Sequence, residues 1–183
     1  MSATTIFFIV NVIGGTSVLG SYWLGIYYYI DQPESLWGGV SGSLRTFFTI
    51  SMLPAALGYI AFFYFMVFRS GIASFSNSSI LGLQTQHAPS IMCALFLIAS
   101  TIWMPATISY INSQQWGWWI TAVLSLWTTG FALVGISNLF YVNTAENIIW
   151  TRNLAFVGLM YITFHCVVLD AIIWVLKFPK LHN

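Results

Sequence analysis

The stretch SIMCALFLIASTIWMPATISYINSQQWGWWITAVLSLWTTGFALVGISNLFY, residues 90–141, decides the architecture. It lies inside a longer segment, Ser70 to Ala145, that contains no Asp, Glu, Lys or Arg. A membrane crossing takes about 20 apolar residues, so this segment is too long for one helix and must break. The break is Asn112-Ser113-Gln114-Gln115, followed by Trp116, Gly117, Trp118 and Trp119: a polar turn and then rings of the kind that settle at a membrane interface. Helices are therefore predicted over about 90–111 and 117–141, and the short turn makes them antiparallel neighbours.

Upstream, Ser70 to Pro89 carries Asn77, Ser78, Ser79, Gln84, Gln86 and His87 and reads as a polar connection. Residues 46–68 make a helix bent at Pro54 and flanked by Arg45 and Arg69, whose long side chains reach the headgroups. Residues 5–30 make the first helix, stopped by Asp31, Gln32 and Pro33 because proline has no N–H to donate. That run lacks a basic leader and is longer than a secretion-signal core, so it reads as a retained helix. Downstream, residues 153–176 form the fifth helix, entered through Glu146, Asn147, Trp150 and Arg152 and closed by Lys177, Pro179 and Lys180. The expectation is an all-alpha integral membrane protein, a compact bundle of five transmembrane helices with short loops, with residues 1–183 forming a single domain.

Composition agrees with this. Hydrophobic residues make up 58% of the chain, aromatics 18% and charged residues only 5%, against about 25% charged in an ordinary soluble domain. Apart from Asp170, the charges fall between or beyond the apolar runs, as a bilayer demands. Membrane lipids are thus expected partners, while a net charge of +1 provides no basic stripe for nucleic acid. Five crossings put the termini on opposite sides of the membrane. Arg45, Lys177 and Lys180 share one side, and Arg69 and Arg152 the other, a bias that favours an inside C-terminus. Asn77-Ser78-Ser79 matches a glycosylation acceptor and would then lie outside.

Asp170 is the leading candidate for function. It sits about 7 Å from the middle of the fifth helix, where a bare carboxylate costs about 2.5 to 3.5 kcal/mol, so it needs a partner or a proton. Arg45 is the first candidate partner and Lys177 the second, because both lie towards the same side. His165, near mid-depth on the same helix, is a packing histidine or else a cofactor ligand or proton relay, whereas His87 and His182 lie too far away to share an ion with it. Trp23, Trp103 and Trp127 are deep enough to line a pocket with the bend at Pro105. Asn11, inside the first helix, requires a contact with another helix or water. Ser17, Ser21 and Gly25 repeat at four-residue spacing and form a face for close helix packing. Cys93 and Cys166 read as separate small packing residues at different depths.

No nucleotide loop, HExxH, nucleophile elbow or haem-attachment motif occurs, and the sequence names no cofactor and no metal. Five crossings and abundant tryptophan resemble the tryptophan-rich sensory and translocator family, which binds tetrapyrroles and related lipophilic ligands. Asp31-Gln32-Pro33-Glu34-Ser35-Leu36-Trp37-Gly38-Gly39 departs from the aromatic- and proline-rich loop of that family, so no functional residue is carried over. The first functional expectation is a noncatalytic subunit that packs against other integral membrane subunits. The second is a small transporter or lipophilic-ligand binder with a polar site around Asp170 and His165, and an enzyme comes third.

Overall fold

The computed structural model describes residues 1–28, 33–76, 79–80, 83–84, 86–144 and 149–178. Five membrane-spanning helices make up the protein: α1 (Ala3–Tyr28), α2 (Gly42–Phe68), α3 (Ala88–Ser113), α4 (Trp116–Thr144) and α5, which begins as Trp150–Phe164. The fifth span continues without interruption through a π-helical segment, His165–Trp174, and a last α-turn, Val175–Lys177. Each span carries exposed apolar side chains, Leu19, Ile50, Ile98, Phe131 and Val157 among them, and these form the surface that lipid solvates. The molecule is an integral multi-pass membrane protein.

Helix ends fall within a few residues of the sequence reading. The largest difference is at α2, which starts at Gly42, so that Arg45 lies in its first turn instead of before it. The turn between α3 and α4 is Gln114–Gln115, where Gln114 takes a left-handed φ of 55° and its N–H bonds the Tyr110 carbonyl at 2.8 Å. Asp31, Asn77, Ser78, Glu146, Asn147, Lys180 and His182 lie outside the described residues. In the α2–α3 connection, a 3₁₀ turn at Gly71–Phe75 buries Ile72 and Phe75, and Ser79–Ile80 pairs antiparallel with Leu83–Gln84.

The helices pack as an arc in the order α1, α3, α4, α5, α2. At the end holding the N-terminal half of α1, Phe7 meets Phe62 and Phe63, with ring centroids 6.0 and 6.2 Å apart, and closes the arc. Lipid gives helices no hydrophobic reason to associate, so close backbone approach has to supply the contact. It does so at Gly58 of α2 and Gly158 of α5, where a Cβ added to either would lie 2.5 Å from the other's backbone. On α1, a Cβ at Gly14 would strike Leu97, and one at Gly25 would lie 2.6 Å from Met104.

The small-residue face of α1 is therefore used inside the chain, though not as the four-residue pattern implies. Gly25 is buried against α3, Ser21 is half-buried with its hydroxyl on the Val18 carbonyl, and Ser17 is exposed with its hydroxyl on the Ile13 carbonyl. A step of eleven residues from Gly14 to Gly25 makes three turns and returns to the same face, whereas Ser17 has rotated away.

At the other end of the bundle, the connection Pro33–Val40 lies across the C-terminal turn of the fifth span. Trp174 Nε1 donates to the Leu36 carbonyl at 3.0 Å, and Gly39 N–H donates to the Lys177 carbonyl at 3.1 Å. Glycine is required at 39 because a side chain would collide with that carbonyl. Trp119, Trp174, Phe178 and Tyr110 stack beneath the connection, the tightest pair being Trp174 and Phe178 at 4.6 Å.

Candidate functional site

The glycine contact also sets the register of the polar centre. Gly58 faces Gly158, and α2 and α5 run antiparallel, so moving seven residues back to Ser51 and seven on to His165 travels the same way along the seam, about 10.5 Å. Ser51 Oγ and His165 Nδ1 meet there at 2.9 Å, with the residues 1% and 5% exposed. Tyr161, one α-turn before His165, places its hydroxyl 3.1 Å from the same Ser51 oxygen. Phe48 packs edge-on against the imidazole at 6.5 Å and holds its plane.

On the other side of the ring, His165 Nε2 is 3.7 Å from Asp170 Oδ2. In a regular α-helix, residues five apart lie about 140° apart around the axis. A π-helix closes its hydrogen bonds from i to i+5, bringing the fifth residue back over the first, and the change from α to π occurs at His165. Such geometry is rare in proteins and concentrates at functional sites. Cys166 lies four residues before Asp170 on the same π-helical segment.

The result is a chain of polar groups, Tyr161, Ser51, His165, Asp170, buried at Ser51 and His165 and partly exposed at both ends. The Asp170 side chain keeps 27% of its surface exposed, against 7% for His165. With the carboxylate ionised, one donor order satisfies every member: Tyr161 O–H to Ser51, Ser51 O–H to Nδ1, and Nε2–H towards Asp170. A separation of 3.7 Å is within ion-pair range but too long for a hydrogen bond, and a direct bond between the two groups requires a small side-chain movement or a bridging water.

Arg45 is not the partner of Asp170. It forms a bidentate ion pair with Glu34 and stacks over Trp37, its guanidinium 4.8 Å from the ring centroid. Glu34 lies in the adjoining connection, on the headgroup side of Arg45, where two charges meet without leaving the interface. Lys177 is exposed, and among the described residues its ammonium forms no ion pair. The carboxylate is instead answered from its own helix.

Serine, histidine and aspartate are also the members of a nucleophilic triad. Here Ser51 is enclosed between α2 and α5 and already engaged by Tyr161, whereas Asp170 keeps part of its surface exposed. Among the described residues, no three His, Cys, Asp or Glu side chains gather to hold a metal ion. The three deep tryptophans do not line one pocket: Trp23 is 73% exposed, Trp127 lies against Phe131 at the surface, and Trp103 turns inward, between Tyr22 and Trp174. A groove of about 710 Å³ follows the α1–α3 seam past Ser21, Gly25, Pro105 and Asn112, and neither Asp170 nor His165 borders it.

No protein-family model, curated protein or solved structure matches the chain.

Ser51 and Tyr161 give no sign of their role in the sequence. A serine and a tyrosine within apolar runs carry no signal when Ser and Thr hydroxyls can bond the carbonyl one turn back, as Thr49, Thr101 and Thr121 do here. Asn11 follows expectation: Tyr59 donates to its Oδ1 at 2.5 Å, and its own Nδ2 donates to the Phe7 carbonyl at 2.8 Å.

Proposed function

We propose that the protein is a small membrane transporter in which Asp170 loads and releases a proton or a small cation, with His165, Ser51 and Tyr161 as the groups that accept and return the charge. One observation carries this reading: a buried Ser51–His165 hydrogen bond inside the bundle leads to a partly exposed carboxylate set on a π-helical turn. An ionisable residue at membrane depth is expensive and commonly marks an ion or proton pathway. A merely structural aspartate is best served by a permanent cation, and among the described residues the cations on this side are Arg45, held by Glu34, and Lys177, which is exposed.

The accessory-subunit expectation draws in part on small-residue helix faces suited to close partners, and two of the small residues of α1, Gly14 and Gly25, are taken up by α3 of the same chain.

The test is proton movement in sealed liposomes carrying the purified protein and an internal pH dye, driven by an imposed membrane potential. The wild type should move protons above the rate of empty vesicles, and Asp170→Asn and His165→Gln should reduce the rate at least tenfold while inserting normally. A rate unchanged by Asp170→Asn would remove the carboxylate from the pathway.

A further inference from the structure

Thr107 and Tyr110 of α3 are both 0% exposed, and neither hydroxyl, nor the indole N–H of Trp103, has a hydrogen-bond partner among the described residues. Positions 103, 107 and 110 are spaced by four and three residues, which keeps them on one stripe of the helix for about 10.5 Å. Thr107 is the telling member. Thr46, Thr49, Thr101, Thr121, Thr144 and Thr163 each bond the carbonyl of their own preceding turn, whereas Thr107 does not.

The stripe joins the site at its deep end. Trp103 sits edge-on to Tyr22 at 5.7 Å and to Trp174 at 5.4 Å, and Trp174 follows Asp170 by four residues on the fifth span. At its outer end, Tyr110 lies in the last turn of α3, against Trp119 and Phe178, beneath the Pro33–Val40 connection. Buried polar groups that find no protein partner are normally satisfied by ordered water, and each water needs two to four polar contacts.

We propose that Trp103, Thr107 and Tyr110 line an internal water file that carries protons between Asp170 and the membrane face covered by the Pro33–Val40 connection. This rests on Asp170 being the proton-loading group. Both hydroxyls donate and accept, so they can sit within a proton-conducting chain; the indole only donates, and so orients the innermost water.

The experiment uses the full chain in lipid nanodiscs at a pH where Asp170 is protonated. Its carboxylic C=O band is assigned by subtracting the Asp170→Asn spectrum, and its shift is followed after a jump into D₂O. Wild type should exchange rapidly, the double variant Thr107→Val with Tyr110→Phe at least tenfold more slowly, and Ser90→Ala, at the far end of α3, at the wild-type rate. Exchange in the double variant as fast as in wild type would overturn the file. Thermal melting gives a second readout: a hydrated Tyr110 hydroxyl makes Tyr110→Phe neutral or destabilising, whereas a raised melting temperature means a dry, unsatisfied hydroxyl and overturns the proposal. Should the double variant misfold, Thr107→Ser must retain fast exchange and Thr107→Val alone must slow it. Because exchange needs no net transport, vesicles without proton flux but with file-dependent exchange would contradict the transporter and leave the file standing.

Discussion

Two buried polar clusters, one towards each face of the membrane, divide this protein into a half joined by neutral groups and a half that carries the ionisable pair. Asn11, Tyr59 and Cys93 tie α1, α2 and α3 together through neutral groups; Asn11 is 7% exposed and Cys93 0%. Tyr161, Ser51, His165 and Asp170 tie α2 to the fifth span, but through two ionisable groups, one of them partly open. Both avoid stranding polar atoms in hydrocarbon. Only the second has more than one arrangement of protons, and only the second sits where α-helix gives way to π-helix. Satisfaction is a structural requirement common to both; titratability at an open end is not.

The largest effect should come from the seam that supports the second cluster. Gly58→Leu drives a branched side chain into the Gly158 backbone, and the loss of stability should reach or pass the roughly 3 kcal/mol upper end of ordinary overpacking. Gly25→Leu meets the flexible Met104 instead and should lose about 1 to 3 kcal/mol. Thermal unfolding in mild detergent ranks the two, and a Gly58→Leu protein as stable as wild type would mean that the helices do not touch there.

The comparison itself is sharpened by an exchange of phenotypes. Asn11→Leu leaves the Tyr59 hydroxyl without its acceptor and should lower stability by about 1 to 3 kcal/mol while leaving proton movement intact. Asp170→Asn should change stability by less than about 1 kcal/mol, since a carboxylate costly in hydrocarbon is replaced by a neutral amide of its size, and should abolish proton movement. Melting and flux measured on the same preparations decide it; if both variants lose both properties, the division into two halves fails.

A smaller effect tests connectivity. Ser51→Ala and His165→Gln, made singly and together, should show a coupling of about 0.5 to 3 kcal/mol in a double-mutant cycle, because they share one hydrogen bond. Strict additivity would break the chain at that link. Smallest of all is Arg45: its pair with Glu34 lies at the surface and should contribute at most about 1 kcal/mol. Arg45→Ala combined with Asp170→Asn should be additive within about 0.5 kcal/mol.

The five spans are legible in the sequence because a bilayer leaves little choice: apolar length and the placement of charge follow from lipid thickness. Asp170 and His165 stand out for the same reason. Their pairing does not, since five residues on an ordinary α-helix point to different faces and nothing in His165-Cys166-Val167-Val168-Leu169-Asp170 announces a π turn. Sidedness alone points Arg45 at Asp170 and overlooks Glu34 in the neighbouring connection. Gly58 and Gly158 escape notice because each is a single glycine whose meaning lies on another helix. Spacing finds Gly25 but sweeps in Ser17, which the true period of the helix turns away from the contact.

The most direct test reads the His165 ring. In protein labelled with ¹⁵N-histidine, the wild-type imidazole should carry its proton on Nε2, facing Asp170, and accept from Ser51 at Nδ1. Removing the carboxylate charge with Asp170→Asn should shift both ring nitrogens, and Ser51→Ala should shift Nδ1. Ring signals identical in wild type and Asp170→Asn would show that carboxylate and imidazole are electrically separate, and the relay would not exist.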